Sequence, residues 1–376
     1  MAECFFSLTF NQSISLPNKT VATSSSGILA ITLHGLFSTI GIIENLLILG
    51  VVGFRVRRTV ISIWILNLSA SDLLATSSLP FFTLYMAKGN TWTLGTTFCR
   101  IYSSIFFLNM FVSGFLLAAI SLDRCLVVMK PVWAQNYRNI QLVGKICILI
   151  WALAIICTIP FYVFRDTIQH PSGTIMCYYS YARFPPSGPY DLRTLCKQRK
   201  EALAFMKLVL AFLIPLLIII FSYIVVSYHL SRRGCRRSYR FVRLVVSVVV
   251  TFILCWAPYH LFIIMEVTAP SGSSVGKFAS KGMRIAATIG FLNSILNPIL
   301  YVFSCPDLCR KIKHSLSAVM ESVLAEDLGE LTRRRSTACS SFSTRDVALQ
   351  PKTYTETLSL KLGDENDGST TNSDLH

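Results

Sequence analysis

The chain has 376 residues, 53% of them hydrophobic and only 14% charged, with a mean hydropathy of +0.55. That balance argues against a soluble domain, because several separate apolar runs reach membrane length. The 35 Lys and Arg against 19 Asp and Glu leave a formal net charge of +16, which in a membrane protein points to anionic lipid and acidic partners before nucleic acid.

Residues 1–27 form a polar arm. Its first 23 residues lack the basic and compact apolar regions of a cleaved signal peptide. Two sequons, at Asn11 and Asn18, favour an extracellular, glycosylated arm. Seven apolar segments follow, near 28–53, 60–88, 97–129, 142–164, 201–230, 240–267 and 281–303. The reading is an all-α membrane protein, a seven-transmembrane helix bundle over 28–304, multi-pass in the plasma membrane. The linkers 54–59, 130–141 and 231–239 carry nine Lys and Arg and no acid, which suits the cytoplasmic side. The outer loops are also basic, holding Arg183, Arg193, Lys197, Arg199, Lys200, Lys277 and Lys281.

The longest outer segment, 165–200, contains the turn signal Pro171-Ser172-Gly173 between runs able to pair as a hairpin. Residues 305–323 alternate basic and apolar positions in the manner of an amphipathic eighth helix on the inner membrane surface. Residues 324–376 turn polar and read as a disordered cytoplasmic tail. Its Ser336, Thr337, Ser340 and Ser341 are candidate phosphorylation sites for arrestin. Four cysteines, Cys4, Cys99, Cys177 and Cys196, face outside and allow three pairings. Given the bundle, Cys99–Cys177 would lash the long loop over it and Cys4–Cys196 would pin the arm.

Polar groups inside a membrane are costly and ask for a role. Asn45, Asp72, Asn109, Ser113, Asn293 and Asn297 fall within the apolar segments. One carboxylate among neutral oxygens suits a sodium ion, and equally a water-filled polar network. In the sixth segment Pro258 removes a backbone hydrogen bond two residues after Trp256, making a hinge beside a bulky lever or a static kink beside a packed ring. Asn297-Pro298-Ile299-Leu300-Tyr301 repeats the feature in the seventh.

The ordered set of Asn45, Leu68–Asp72 with Pro80, Cys99, Asp123-Arg124-Cys125, Trp151, Pro215 with Tyr223, Cys255-Trp256-Ala257-Pro258 and Asn297–Tyr301 resembles the rhodopsin-like G-protein-coupled receptors over roughly residues 28–320. Cys125 stands where the family usually has Tyr. The resemblance implies that Asp123 and Arg124 form an intracellular lock, and that Trp256, Pro258, Tyr223, Pro298 and Tyr301 act as switches. Within the family, Trp92–Cys99, Ser103–Met110, Pro131–Asn136, Phe164–Ile168, Ile175–Tyr179 and Arg240–Val245 are similar to prostanoid-binding members that group with chemoattractant receptors. This implies a lipid carboxylic acid ligand such as prostaglandin D2, and coupling to an inhibitory heterotrimeric G protein.

Lys207 carries the ligand argument. It lies eight residues before Pro215 in a run, Ala202–Ile220, without a carboxylate. A buried ammonium without a partner bears a large desolvation cost, which a ligand carboxylate would relieve. Alternatively Lys207 snorkels outward or pairs with Glu266. The resemblance implies a carboxylate held by Lys207, Arg165 and Tyr179, with Tyr259, Tyr178, Phe82, Phe106 and Phe107 around the tail, and Tyr102 where the family has a contacting histidine. A peptide chemoattractant receptor would share the switches but need acidic, wide outer surfaces or a basic pocket for a peptide C-terminus. A transporter would use Asp72 and Lys207 as pathway charges, and usually shows a repeat that this sequence lacks. No nucleophile–base–orienter set or metal-ligand cluster suggests an enzyme.

Overall fold

The computed structural model describes residues 25–55, 57–89, 91–169, 173–187, 189, 191–232, 238–270 and 273–304. In chain order come α1 (Ser25–Gly50) with a π turn (Val51–Arg55), α2 (Val60–Ala87), α3 (Thr96–Met129), short α4 (Pro131–Tyr137) and α5 (Ile140–Val163). Strands β1 (Arg165–Gln169) and β2 (Ile175–Tyr179) follow. The fifth span joins α6 (Leu192–Met206), a π segment (Lys207–Leu213) and α7 (Ile214–Arg232). Then come α8 (Ser238–Thr268) and α9 (Ser274–Ser304). Seven helical stretches are long and apolar enough to cross a membrane, as the hydropathy pattern requires.

Local chemistry sets the helix starts. Thr59 and Ser62 form a reciprocal capping box before α2. The Asn139 side chain accepts from the Leu142 amide at α5. Asp191 accepts from the Arg193 and Thr194 amides at α6; the Thr194 hydroxyl and these amides hold its carboxyl below the usual carboxylate range. That cap starts the fifth span at Leu192 rather than near 201. Arg193, Lys197, Arg199 and Lys200, assigned to a loop from the sequence, therefore ride on helix. Lys277 and Lys281 likewise sit on α9, which begins at Ser274. The linker 130–141 also differs from expectation: it holds α4, opened by Pro131, whose fixed φ suits a first helical turn.

The core runs along α3, where Phe107, Met110, Phe111, Val112, Leu116 and Leu117 are buried against the flanking spans. Gly114 permits a close backbone approach: a Cβ there would meet the Ala211 carbonyl oxygen at 2.9 Å. Large apolar side chains face outward along the spans, among them Ile148, Ile156, Leu217 and Phe221, a surface made for lipid rather than water. Asn11, Asn18, Cys4, Cys235 and everything from Cys305 onward, including the expected eighth helix and tail, lie outside the described residues.

Candidate functional site

The hairpin forms a lid at one end of the bundle. Its antiparallel register pairs Arg165 with Tyr179 and Thr167 with Cys177. Side chains alternate across a strand, so Arg165, Thr167, Cys177 and Tyr179 share one face. Cys177 is bonded to Cys99 at the start of α3, as expected. Cys196 is disulfide-bonded as well; its expected partner, Cys4, is outside the described residues. On the opposite face Asp166 receives Arg100 at 3.4 Å and Arg183 at 3.0 Å. Arg199 donates to the carbonyls of Tyr181, Arg183 and Phe184, tying the chain after the hairpin to α6. Much of the basic charge near the hairpin thus holds the lid together, a role that no periodicity along the chain marks.

Beneath the lid lies Lys207, the first residue of the π segment and only 4% exposed. Its Nζ stands 5.1 Å from the Phe107 ring centroid, 5.2 Å from Phe161 and 5.6 Å from Tyr259. Among the described residues it has no hydrogen bond or ion pair. Snorkelling is therefore not its conformation, and Glu266 is not its partner: Glu266 pairs with Lys200 at 2.9 Å. Cation–π contact compensates only part of an ammonium's lost hydration. Arg165 covers the Tyr179 ring at 4.6 Å, its Nε buried without a hydrogen-bond partner, and the Tyr179 hydroxyl is equally unmatched. Burial holds that phenol well above its usual range, with Arg165 opposing, so it remains a neutral donor. Lys207, Arg165 and Tyr179 are thus three donors short of acceptors.

Other predicted ligand residues divide. Phe107 stacks on Phe161 at 4.4 Å and meets Tyr179 at 6.4 Å. Phe106 touches Phe107, Tyr259, Trp256 and Phe291, linking the Lys207 side to Trp256. Phe82 belongs to a neighbouring aromatic cluster with His34, Tyr85 and Tyr102. There Tyr102 stacks on Trp92 at 5.4 Å. Tyr178 lies on the other strand face from Tyr179 and is 40% exposed. A cleft of about 580 Å³ lined by Asn67, Gly144, Trp151 and Ile155 lies on the flank of α5, with neither Lys207 nor its ring partners in its wall.

Deeper in the bundle, Asp72 is fully buried. Its Oδ1 accepts from Asn109 at 3.0 Å and its Oδ2 from Asn297 at 2.9 Å. Asn109 Nδ2 also reaches Ser71 and Ser113, and Ser294 donates to Asn109 Oδ1. Ser294 carries no signal of its own in the sequence; only the rotation of α9 brings its hydroxyl to Asn109. Both amide atoms of Asn293 are buried without partners. Asn45 donates to the Ser294 carbonyl at 3.1 Å, bringing α1 to the same point.

At the far end of α3 the expected lock takes a different form. Asp123 accepts from Arg138 Nε at 2.6 Å and Nη2 at 2.8 Å, while Arg124 Nε stands 4.0 Å away. The bidentate geometry makes Arg138 the stronger partner. Short α4 causes this, since it ends at Tyr137 and turns Arg138 back over Asp123. The Ser121 hydroxyl donates to the Tyr223 hydroxyl at 3.3 Å. Trp256 is buried with its indole N–H unmatched, two residues before Pro258 inside α8. Pro298 lies inside α9, and the Tyr301 side chain is outside the described set.

Comparison with known proteins agrees with this architecture. The family model of the seven-transmembrane receptors (rhodopsin family) matches residues 44–301. The chain is 53% identical over 314 residues to Prostaglandin D2 receptor 2 of Mus musculus, covering 83% of this chain and 82% of that one. It is 33% identical over 331 residues to Chemerin-like receptor 1 of Sus scrofa, covering 86% and 90%. It is 31% identical over 328 residues to N-formyl peptide receptor 2 of Homo sapiens, covering 86% and 93%. With seven spans, the disulfide-tethered lid and the polar core on α3, the chain belongs to the rhodopsin family of seven-transmembrane receptors and is a receptor, not an enzyme.

Proposed function

We propose that this receptor binds prostaglandin D2 or a closely related lipid carboxylic acid and signals through an inhibitory G protein at the plasma membrane. The observation that carries the reading is the buried, unpaired Lys207 ammonium facing three aromatic rings below Arg165 and Tyr179. A carboxylate entering there gains charge-assisted hydrogen bonds of about 1.5–3 kcal/mol each, and the rings accept the hydrocarbon. The likeness to Prostaglandin D2 receptor 2 supports the same ligand. A peptide ligand, as the name of the formyl peptide receptor suggests for that relative, fits this narrow aromatic setting less well.

In this reading the arm and hairpin are extracellular. Ligand presses on Phe106, and through it on Trp256 at 5.9 Å, favouring the state in which α8 swings at Pro258. Binding drives signalling only to the extent that the ligand prefers that state. At the inner end Asp123 releases its arginines and Arg124 meets the G protein, with the phosphorylated tail then recruiting arrestin. The test measures cAMP suppression, with arrestin recruitment alongside, against a panel of eicosanoids and chemotactic peptides. Prostaglandin D2 should suppress cAMP, and Lys207→Ala should weaken it at least about tenfold, the scale of one such bond. A response to peptides alone, or an unaffected Lys207→Ala variant, would sink the proposal.

The Asp72 cluster fits a sodium ion in its donor set: one carboxylate, the oxygens of Ser113, Ser294 and Asn109, and an unmatched Asn293. We propose that sodium, when bound, neutralises Asp72 and favours the inactive arrangement. Replacing sodium with a large organic cation should then raise agonist affinity in the native receptor and leave Asp72→Asn unmoved.

A further inference from the structure

His260 follows Tyr259 on α8 and is 2% exposed, yet neither ring nitrogen has a hydrogen-bond partner. Its ring stacks on Phe212 at 5.1 Å and meets Tyr259 edge-on at 5.6 Å. Phe212 in turn stacks on Phe252 at 5.7 Å. Two unmatched polar atoms among aromatic rings are an exception to the rule that buried polar groups are paired. Packing alone gives no reason for them, since a phenylalanine would fill the same space without stranding two nitrogens.

The neighbourhood suggests what they serve. Tyr259, which His260 touches, is one of the three rings around the Lys207 ammonium. The π segment that starts at Lys207 also contains Phe212, so one helical irregularity shapes both places. π-Bulges recur at functional sites. His34, also buried, differs: it bonds Thr288 at 2.7 Å and so ties α1 to α9.

We infer that His260 is a further polar contact of the ligand site, apart from the carboxylate donors, and reads a hydroxyl or keto oxygen of the lipid acid. A neutral imidazole offers one donor and one acceptor, which match such an oxygen and gain nothing from a methylene. The site therefore prefers oxygenated lipid acids to plain fatty acids of the same length. This rests on the lipid-acid reading above. Sites built to bond a polar group reject the analogue lacking it more strongly than apolar pockets separate homologues.

The test uses the full-length receptor in membranes, with displacement of labelled prostaglandin D2 by unlabelled prostaglandin D2 and by arachidonate. Arachidonate has the carboxylate and chain length without the ring oxygens. His260→Phe should weaken prostaglandin D2 about tenfold or more and leave arachidonate unchanged, while His260→Gln, which keeps a donor and an acceptor, should stay within about threefold of the native receptor. His260→Met serves if His260→Phe does not reach the membrane. Equal losses for both ligands, or an unchanged prostaglandin D2 affinity, overturn the inference. If Lys207→Ala leaves both ligands unaffected, the anchor reading fails and this inference with it; the His260 outcomes bear on this inference alone.

Discussion

Lys207 and Asp123 are side chains whose surroundings the sequence disclosed unequally. Lys207 was legible because an ammonium in an apolar run is an energetic anomaly wherever the helix turns. Its three ring partners were not all legible: Phe161 lies on another span, and nothing in its own segment marks it. Arg138 was missed because its distance from Asp123 along the chain follows no helical period; only the fold of α4 brings them together. The pair is partly shielded, so Arg138→Ala should cost about 1–3 kcal/mol of stability, between the values for exposed and buried pairs. Thermal unfolding of the purified receptor reads this directly, and an unchanged midpoint would mean Arg124 takes over the carboxylate without loss.

At the scale of elements, five of the seven spans were placed within a few residues, because apolar length is a strong signal, while α9 begins at Ser274 rather than near 281. The start of the fifth was also missed, since charged residues of α6 break the apolar pattern although Asp191 caps a helix there. The π segment has no sequence signature, yet it sets the direction of Lys207. An α-helix turns about 100° per residue. Deleting Leu208 should restore regular helix and rotate Lys207 by roughly that angle away from Phe107, Phe161 and Tyr259. Circular dichroism should keep its helical signal while prostaglandin D2 binding falls at least as far as in Lys207→Ala. Retained binding would show that the irregularity does not orient the anchor.

At the scale of the molecule, α3 joins four regions of different chemistry. Cys99 tethers the lid, Phe106 and Phe107 link Lys207 to Trp256, and Asn109 bridges Asp72 to α9. Asp123 then meets the short helix that follows. The polar core was readable as a list of costly residues, but not its wiring, because which amide reaches which oxygen depends on helix rotation. The central claim is that Lys207 holds a ligand carboxylate, and comparing prostaglandin D2 with its methyl ester on native and Lys207→Ala receptors tests it most directly. The ester should bind the native receptor about tenfold or more weakly than the acid, and the variant should narrow that gap without closing it, because Arg165 and Tyr179 still face the carboxylate. Equal binding of acid and ester to the native receptor, or an equal loss of both in the variant, would contradict the account.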